Sequence, residues 1–200
     1  MPTRLAAALV ACVAWVGLAL QFSASLALVG GAAGAAWTML GYFTITTNLI
    51  VAILFSLIAL GRPAAAQPRL VAGVALNMLL VGIVFALLLH GLRELSGGAA
   101  GADFILHKVT PVLVPLFWLL FTPKGSLGAS DPPLWLAYPA LYLVYALVRG
   151  TAERRYAYPF LDVAAHGWAG VALNVLVMGI GVLAASYALV LLDRRLAGRR

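Results

Sequence analysis

The chain has 200 residues, 64% of them hydrophobic and 10% charged, with a formal net charge of +7 and a single cysteine. A water-soluble domain of this size has no core large enough to hide so much apolar surface, so lipid is expected to cover much of the protein. The basic residues sit in short loops and the tail rather than in a patch interleaved with aromatics, which argues against a nucleic-acid partner and for contact with anionic membrane lipids.

Crossing a hydrocarbon core of about 30 Å takes roughly 20 helical residues. Apolar runs of that order predict an all-α, polytopic membrane bundle: one domain, residues 1–200, with six transmembrane helices at about 5–28, 36–60, 69–92, 104–121, 134–148 and 167–192. The first run follows Arg4 and has small residues after it, as a signal peptide would. Its apolar stretch is longer than an ordinary signal core, so a retained helix is expected; cleavage would leave five spans. Cys12 lies inside this run, with no partner for a disulfide or a thiolate metal site. Breakers separate the runs, among them the glycines around Gly30, the Gly61-Arg62-Pro63 turn, Ser96-Gly97-Gly98 and the stretch from Thr122 to Pro133.

For six spans, Arg4, Arg62, Arg69, Lys124, Arg194, Arg195, Arg199 and Arg200 fall on one side. Arg93, Lys108, Arg149, Arg154 and Arg155 fall on the other. The positive-inside rule then places both termini in the cytoplasm. The preference for Arg over Lys and the abundance of Ala and Gly point to a GC-rich bacterial source, hence to a bacterial cytoplasmic (inner) membrane.

Polar groups inside spans are costly and are functional candidates by default. In the second span Thr44, Thr47 and Asn48 share one helical face by their i, i+3, i+4 spacing, while Thr46 points elsewhere. With the termini inside, Thr44 lies in the outer half, about 12 Å along the helix from residue 36. His107 stands near the outer end of the fourth span, at a depth where it could reach Thr44. Pro111 and Pro115 follow it and deprive two carbonyls of their helical donors, which predicts a kink. In the fifth span Tyr138, Tyr142, Tyr145 and Arg149 form a stripe that climbs toward Tyr158, Asp162 and His166, and an Arg149–Asp162 ion pair is expected. The hexapeptide Ala-Gly-Val-Ala-Leu-Asn occurs twice, ending at Asn77 and at Asn174. Convergence between two small-residue helices explains it, and so does an inverted repeat of the kind found in transporters. No nucleotide-binding or zinc-protease motif occurs, so no cofactor and no metal are expected.

The segments Tyr42-Phe43-Thr44-Ile45-Thr46-Thr47-Asn48, His107 with Pro111, Tyr138-Pro139-Ala140-Leu141-Tyr142 and Tyr158-Pro159-Phe160-Leu161-Asp162 together resemble the bacterial Pr-six-Pr membrane family. That family is similar to the animal androgen-induced and androgen-dependent TFPI-regulating proteins, the FAR/AIG-like group. The resemblance runs from the second span to the last. It implies a six-span hydrolase of fatty acid esters of hydroxy fatty acids, with Thr44 as nucleophile and His107 as its partner. Thr46 and Thr47 crowd Thr44 and leave the choice of nucleophile among the three open. Catalysis is accordingly assigned to Thr44 and His107, and substrate binding to Thr47, Asn48, Tyr142, Tyr145, Arg149, Tyr158 and Asp162. Asn48, one turn from Thr44, would donate to a developing oxyanion. The expected partners are membrane lipids, with a fatty acid ester as substrate. Two alternatives remain: a small transporter or channel in which Asn77 and Asn174 meet, and a non-catalytic membrane protein.

Overall fold

The computed structural model describes residues 1–92 and 94–198; Arg93, Arg199 and Arg200, which entered the charge count, lie outside the described residues. Among the described residues every regular element is helical. The helix α1 spans Pro2–Val29, with proline where a missing N–H costs nothing and Gly30 in the left-handed region (φ 76°) closing the last turn. It packs along α3, where Arg4 Nε donates to the carbonyl of Ala59 at 2.8 Å and Trp15 Nε1 to Ser56 Oγ at 3.2 Å. Its buried residues include Ala7, Ala11, Ala14 and Gly17, small residues at helical spacing that let neighbouring backbones come close, beside Val10 and Leu18.

The second predicted span is not one straight helix. It is broken into α2 (Ala32–Leu40) and α3 (Phe43–Ala59), bent by 99° at Gly41-Tyr42. Tyr42 adopts an extended conformation (φ −109°, ψ 132°), which ends one helix and lets the next begin. The break exposes backbone groups, and side chains from elsewhere satisfy them. Tyr142 Oη donates to the carbonyl of Gly41 at 2.7 Å, and Tyr158 Oη accepts from the N–H of Phe43 at 2.9 Å.

The third span is α4 (Pro68–Val84), continued by a π turn at Phe85–Leu89. The fourth begins earlier than predicted, as α5 (Gly97–Phe104), passes through a second π turn at Ile105–Val109 and continues as α6 (Thr110–Phe121). The π turn is the local answer to Pro111. With no proline N–H for the His107 carbonyl, the ladder slips by one residue and the N–H of Thr110 bonds to Ile105 instead. Helix α7 spans Asp131–Glu153, eight residues longer than the predicted 134–148, and α8 spans Val163–Ala197. Gly167 (φ 66°, ψ 167°) interrupts α8, so its long run starts just beyond that residue.

Among the described residues four helical stretches are long and apolar enough to cross a membrane: Pro2–Val29, Pro68–Leu89, Gly97–Phe121 and Val163–Ala197. The bent α2–α3 pair makes five if it counts as one span. Helix α7 has the length, at 23 residues, but its tyrosines and terminal charges keep it below the same standard of apolarity.

At Gly17 an added Cβ would stand 2.7 Å from both Ile105 Cγ2 and Leu106 Cδ2. Gly17→Val is therefore expected to overpack the contact between α1 and the π turn and to cost about 1–3 kcal/mol. Thermal unfolding of the purified protein in detergent checks this, and an unchanged midpoint would refute the close approach.

Candidate active site

The bend at Gly41-Tyr42 puts Thr44 in the first turn of α3 rather than midway along a continuous helix. Its hydroxyl thus sits at the positive end of a 17-residue helix, where a developing oxygen anion is favoured. The side chain is buried, and Oγ1 lies 3.1 Å from His107 Nε2. The two residues singled out from separate spans are therefore hydrogen-bonded neighbours.

On the other side of the imidazole, His107 Nδ1 is 3.0 Å from Asp103 Oδ1 and 3.2 Å from the Asp103 carbonyl. Two acceptors at Nδ1 hold the proton there and leave the lone pair on Nε2 facing the threonine. The ring is stacked on Phe85 at 4.3 Å with an interplanar angle of 17°. Phe85 opens the π turn of α4, and His107 lies in that of α5–α6, so each irregular turn supplies one face of this stack. Asp103 is absent from the residues singled out in the sequence. Its position four residues before His107 was the available signal, because i and i+4 share a helical face.

Thr46 and Thr47 are directed away from His107. Thr46 Oγ1 lies 3.1 Å from the Phe43 carbonyl and 2.7 Å from Tyr138 Oη, and Thr47 Oγ1 donates to the Phe43 carbonyl at 2.7 Å and lies 2.9 Å from Tyr138 Oη. The anticipated stripe of Thr44, Thr47 and Asn48 is thus divided: Thr44 and Asn48 face α5–α6, while Thr47 meets Tyr138 of α7 alongside Thr46.

Asn48 does not have the role expected of it. It is fully buried, its Nδ2 donates to the carbonyls of Thr44 (2.9 Å) and Leu106 (3.3 Å), and its Oδ1 accepts from Thr110 Oγ1 at 2.7 Å. With both ends of the amide committed, Asn48 has no donor left for an oxyanion; it is a cross-link between α3 and the helix that carries His107. The carbonyl of Leu106 needs this bond because the π turn disturbs the ladder beside it.

A cavity of about 230 Å³ lies between α3, α4, α7, the connection after α7, and α8. Its wall is almost wholly apolar, and the hydroxyl-bearing residues among its lining are Thr44, Tyr142 and Tyr158. Tyr142 is committed to Gly41. Tyr158 is 8% exposed, and burial pushes its phenol up to about 12, so it is protonated at neutral pH and keeps an O–H to give.

The remaining predicted binding residues lie elsewhere. Arg149 pairs with Glu153 (2.9 Å) rather than Asp162, donates to Tyr145 Oη at 2.9 Å and stands 4.2 Å over the Trp37 ring, fastening α2 to α7. The expected Arg149–Asp162 pair is not formed because Asp162 caps α8, accepting from the N–H groups of Ala164 and Ala165. The two repeated asparagines do not bond to each other: Asn77 Nδ2 donates to Gly73 and Asn174 Nδ2 to Phe160, both at the carbonyl.

Cutting the cross-link is expected to loosen the Thr44–His107 contact. Asn48→Ala removes the amide that bonds the Leu106 carbonyl and the Thr110 hydroxyl, leaving Thr110 to hold the turn alone, and should cost about 1–3 kcal/mol in thermal unfolding. A double-mutant cycle with Thr110→Val should show the two losses to be non-additive; simple additivity would contradict a shared network. Comparison of the chain with protein-family models, with curated proteins and with solved structures gives no match.

Proposed function

We propose that this chain is an intramembrane hydrolase of fatty acid esters that passes six times through a bacterial cytoplasmic membrane, with both termini in the cytoplasm. In that topology the bent α2–α3 pair is the second pass and α7 the fifth. The observation that carries the reading is Thr44 Oγ1 at 3.1 Å from His107 Nε2, with Asp103 on the other ring nitrogen and an apolar cavity beside the threonine. On this reading the chain belongs with the Pr-six-Pr proteins its motifs resemble.

A threonine hydroxyl is a weak nucleophile until a base takes its proton. In the proposed reaction an ester enters from the surrounding lipid with its acyl chain in the cavity. Thr44 Oγ1 attacks the carbonyl carbon as its proton passes to His107 Nε2, and Asp103 holds the resulting imidazolium. The Tyr158 O–H donates to the oxyanion. Collapse breaks the ester C–O bond, and the leaving alkoxide takes the proton from His107. Water then attacks the acyl-threonine, giving one proton to His107, and the bond to Thr44 Oγ1 breaks as that oxygen takes the proton back from His107, releasing the fatty acid and restoring both residues.

Purified protein assayed with long-chain fluorogenic esters tests this. Thr44→Ala and His107→Ala are each expected to lower kcat/KM by roughly 100-fold or more, and Asp103→Asn, which presents the wrong partner to Nδ1, by a similar factor. Tyr158→Phe should reduce kcat by ~100-fold with little change in KM. Thr46→Val and Thr47→Val should stay within about tenfold of wild type. Full activity in Thr44→Ala would overturn the assignment.

A further inference from the structure

Between Val171 and Ser186 no residue of α8 is buried, over about 21 Å of helix at the usual rise per residue. Both ends of that stretch are fastened. Near its start Val171 is buried, and Asn174 Nδ2 donates to the carbonyl of Phe160 at 3.0 Å. Past its end Leu189 and Val190 are buried, and Asp193 Oδ2 accepts from the N–H groups of Gly125 at 2.8 Å and Leu127 at 3.1 Å. The middle of α8 therefore stands off the bundle, and the cavity beside Thr44 lies between the two.

From α8 that cavity is lined by Val175, Met178, Gly179 and Val182, whose i, i+3, i+4, i+7 spacing puts them on one face. Helix α7 contributes the same pattern in Leu136, Pro139, Ala140 and Leu143. Ala140 and Gly179, the smallest member of each stripe, are exposed although they line the cavity, so it opens outward between these two helices. Gly179 does not serve a close approach. A Cβ at Gly17 would stand 2.7 Å from its neighbours, whereas one at Gly179 would meet no heavy atom within 4 Å. Glycine inside a helix is unfavourable relative to alanine, and at Gly179 no tight contact offsets that. What the missing side chain provides is free space on the cavity wall.

The cavity has a direction. Tyr158 bonds the N–H of Phe43 at the start of α3, and Phe160, which Asn174 holds, lines the cavity beside it, so Thr44 lies toward the start of α8 and Val182 at the far end. From Asn174 to Gly179 is about 7.5 Å along the helix. Among the described residues none of those lining the cavity is charged.

We propose that the gap between α7 and α8 is the passage by which the acyl chain of an ester reaches Thr44 from the lipid, and that Gly179 sets the length of chain admitted. The choice of occupant rests on the proposed ester hydrolysis. With the ester carbonyl at Thr44, a short acyl group ends before Gly179 and a long one runs past it toward Leu136 and Val182. A wall without charge takes the uncharged ester and gives no partner to the carboxylate that hydrolysis leaves, which favours release of the product.

The experiment compares Gly179→Leu with Gly181→Leu in the full chain in detergent. Each replaces a helical glycine in open surroundings by a better helix former, and only Gly179 lines the cavity. Gly179→Leu is expected to lower kcat/KM for a fluorogenic palmitate ester about tenfold more than for the butyrate ester, chiefly through KM. Gly181→Leu should keep the wild-type ratio. A ratio unchanged in Gly179→Leu, or changed equally in Gly181→Leu, overturns the proposal. A second measurement needs no turnover: Thr44→Ala is photolysed with a palmitate ester carrying a mid-chain diazirine, and the adducts are located by mass spectrometry of peptides. Labelling is expected within 136–143 and 175–182 and should fall about tenfold when Gly179→Leu is added; labelling confined to other segments overturns the passage. The expected labelling in a protein whose wild type hydrolyses neither ester would remove the hydrolase reading and keep the passage, so the two fail separately.

Discussion

The amide of Asn48 is the constraint on which the site depends. One buried side chain holds the carbonyl of Thr44 in its own helix, the carbonyl of Leu106 in another and the hydroxyl of Thr110 beyond it. Thr44 and His107 stand on helices that have no covalent reason to meet at that level. The cross-link fixes their relative height, and the residue immediately before His107 is one of its anchors. An exposed network could exchange with solvent; buried as they are, each of these groups has only protein to bond to, so the arrangement is held tightly.

The same accounting explains why the irregular backbone is concentrated around Thr44. A bend between α2 and α3, a π turn that carries His107 and another that opens at Phe85 each leave backbone groups displaced from the helical ladder. Irregular turns of this kind are tolerated in membrane helices where they are buried in protein, and they recur at functional sites. Here Tyr142 and Tyr158 satisfy the bend, while Asn48 and Thr110 satisfy the second π turn. Tyr142 and Tyr158, expected to bind substrate, are thus parts of the support for one helix N-terminus.

Helix content was legible in the sequence, because apolar runs of bilayer length are a local signal, and so was the nearness of Thr44 and His107, two polar residues placed at a similar depth in their runs. The bend was not, since Gly41 inside an apolar run reads as an ordinary small residue until the partners of the broken backbone are known. The role of Asn48 was misread for a related reason. Periodicity gives the face on which a residue lies but not how many polar groups converge on it, and three do: two carbonyls that accept from its Nδ2 and a hydroxyl that donates to its Oδ1. Arg149 shows the limit of proximity in sequence: Asp162 sits in the adjoining loop, yet the N-terminus of α8 claims it, and Glu153, one turn along the same helix, takes the arginine. Asp103 was overlooked although its spacing from His107 was in plain view, because it lay just outside the predicted start of the fourth span, which the structure extends back to Gly97.

The central claim is that Thr44, rather than its neighbours, is the nucleophile that His107 activates. Treating the purified protein with a long-chain fluorophosphonate and locating the adduct by mass spectrometry of its peptides tests this most directly. The account predicts a single phosphonylated residue, Thr44, and no adduct in His107→Ala. Modification at Thr46 or Thr47, or labelling of Thr44 that persists undiminished without the imidazole, would contradict it.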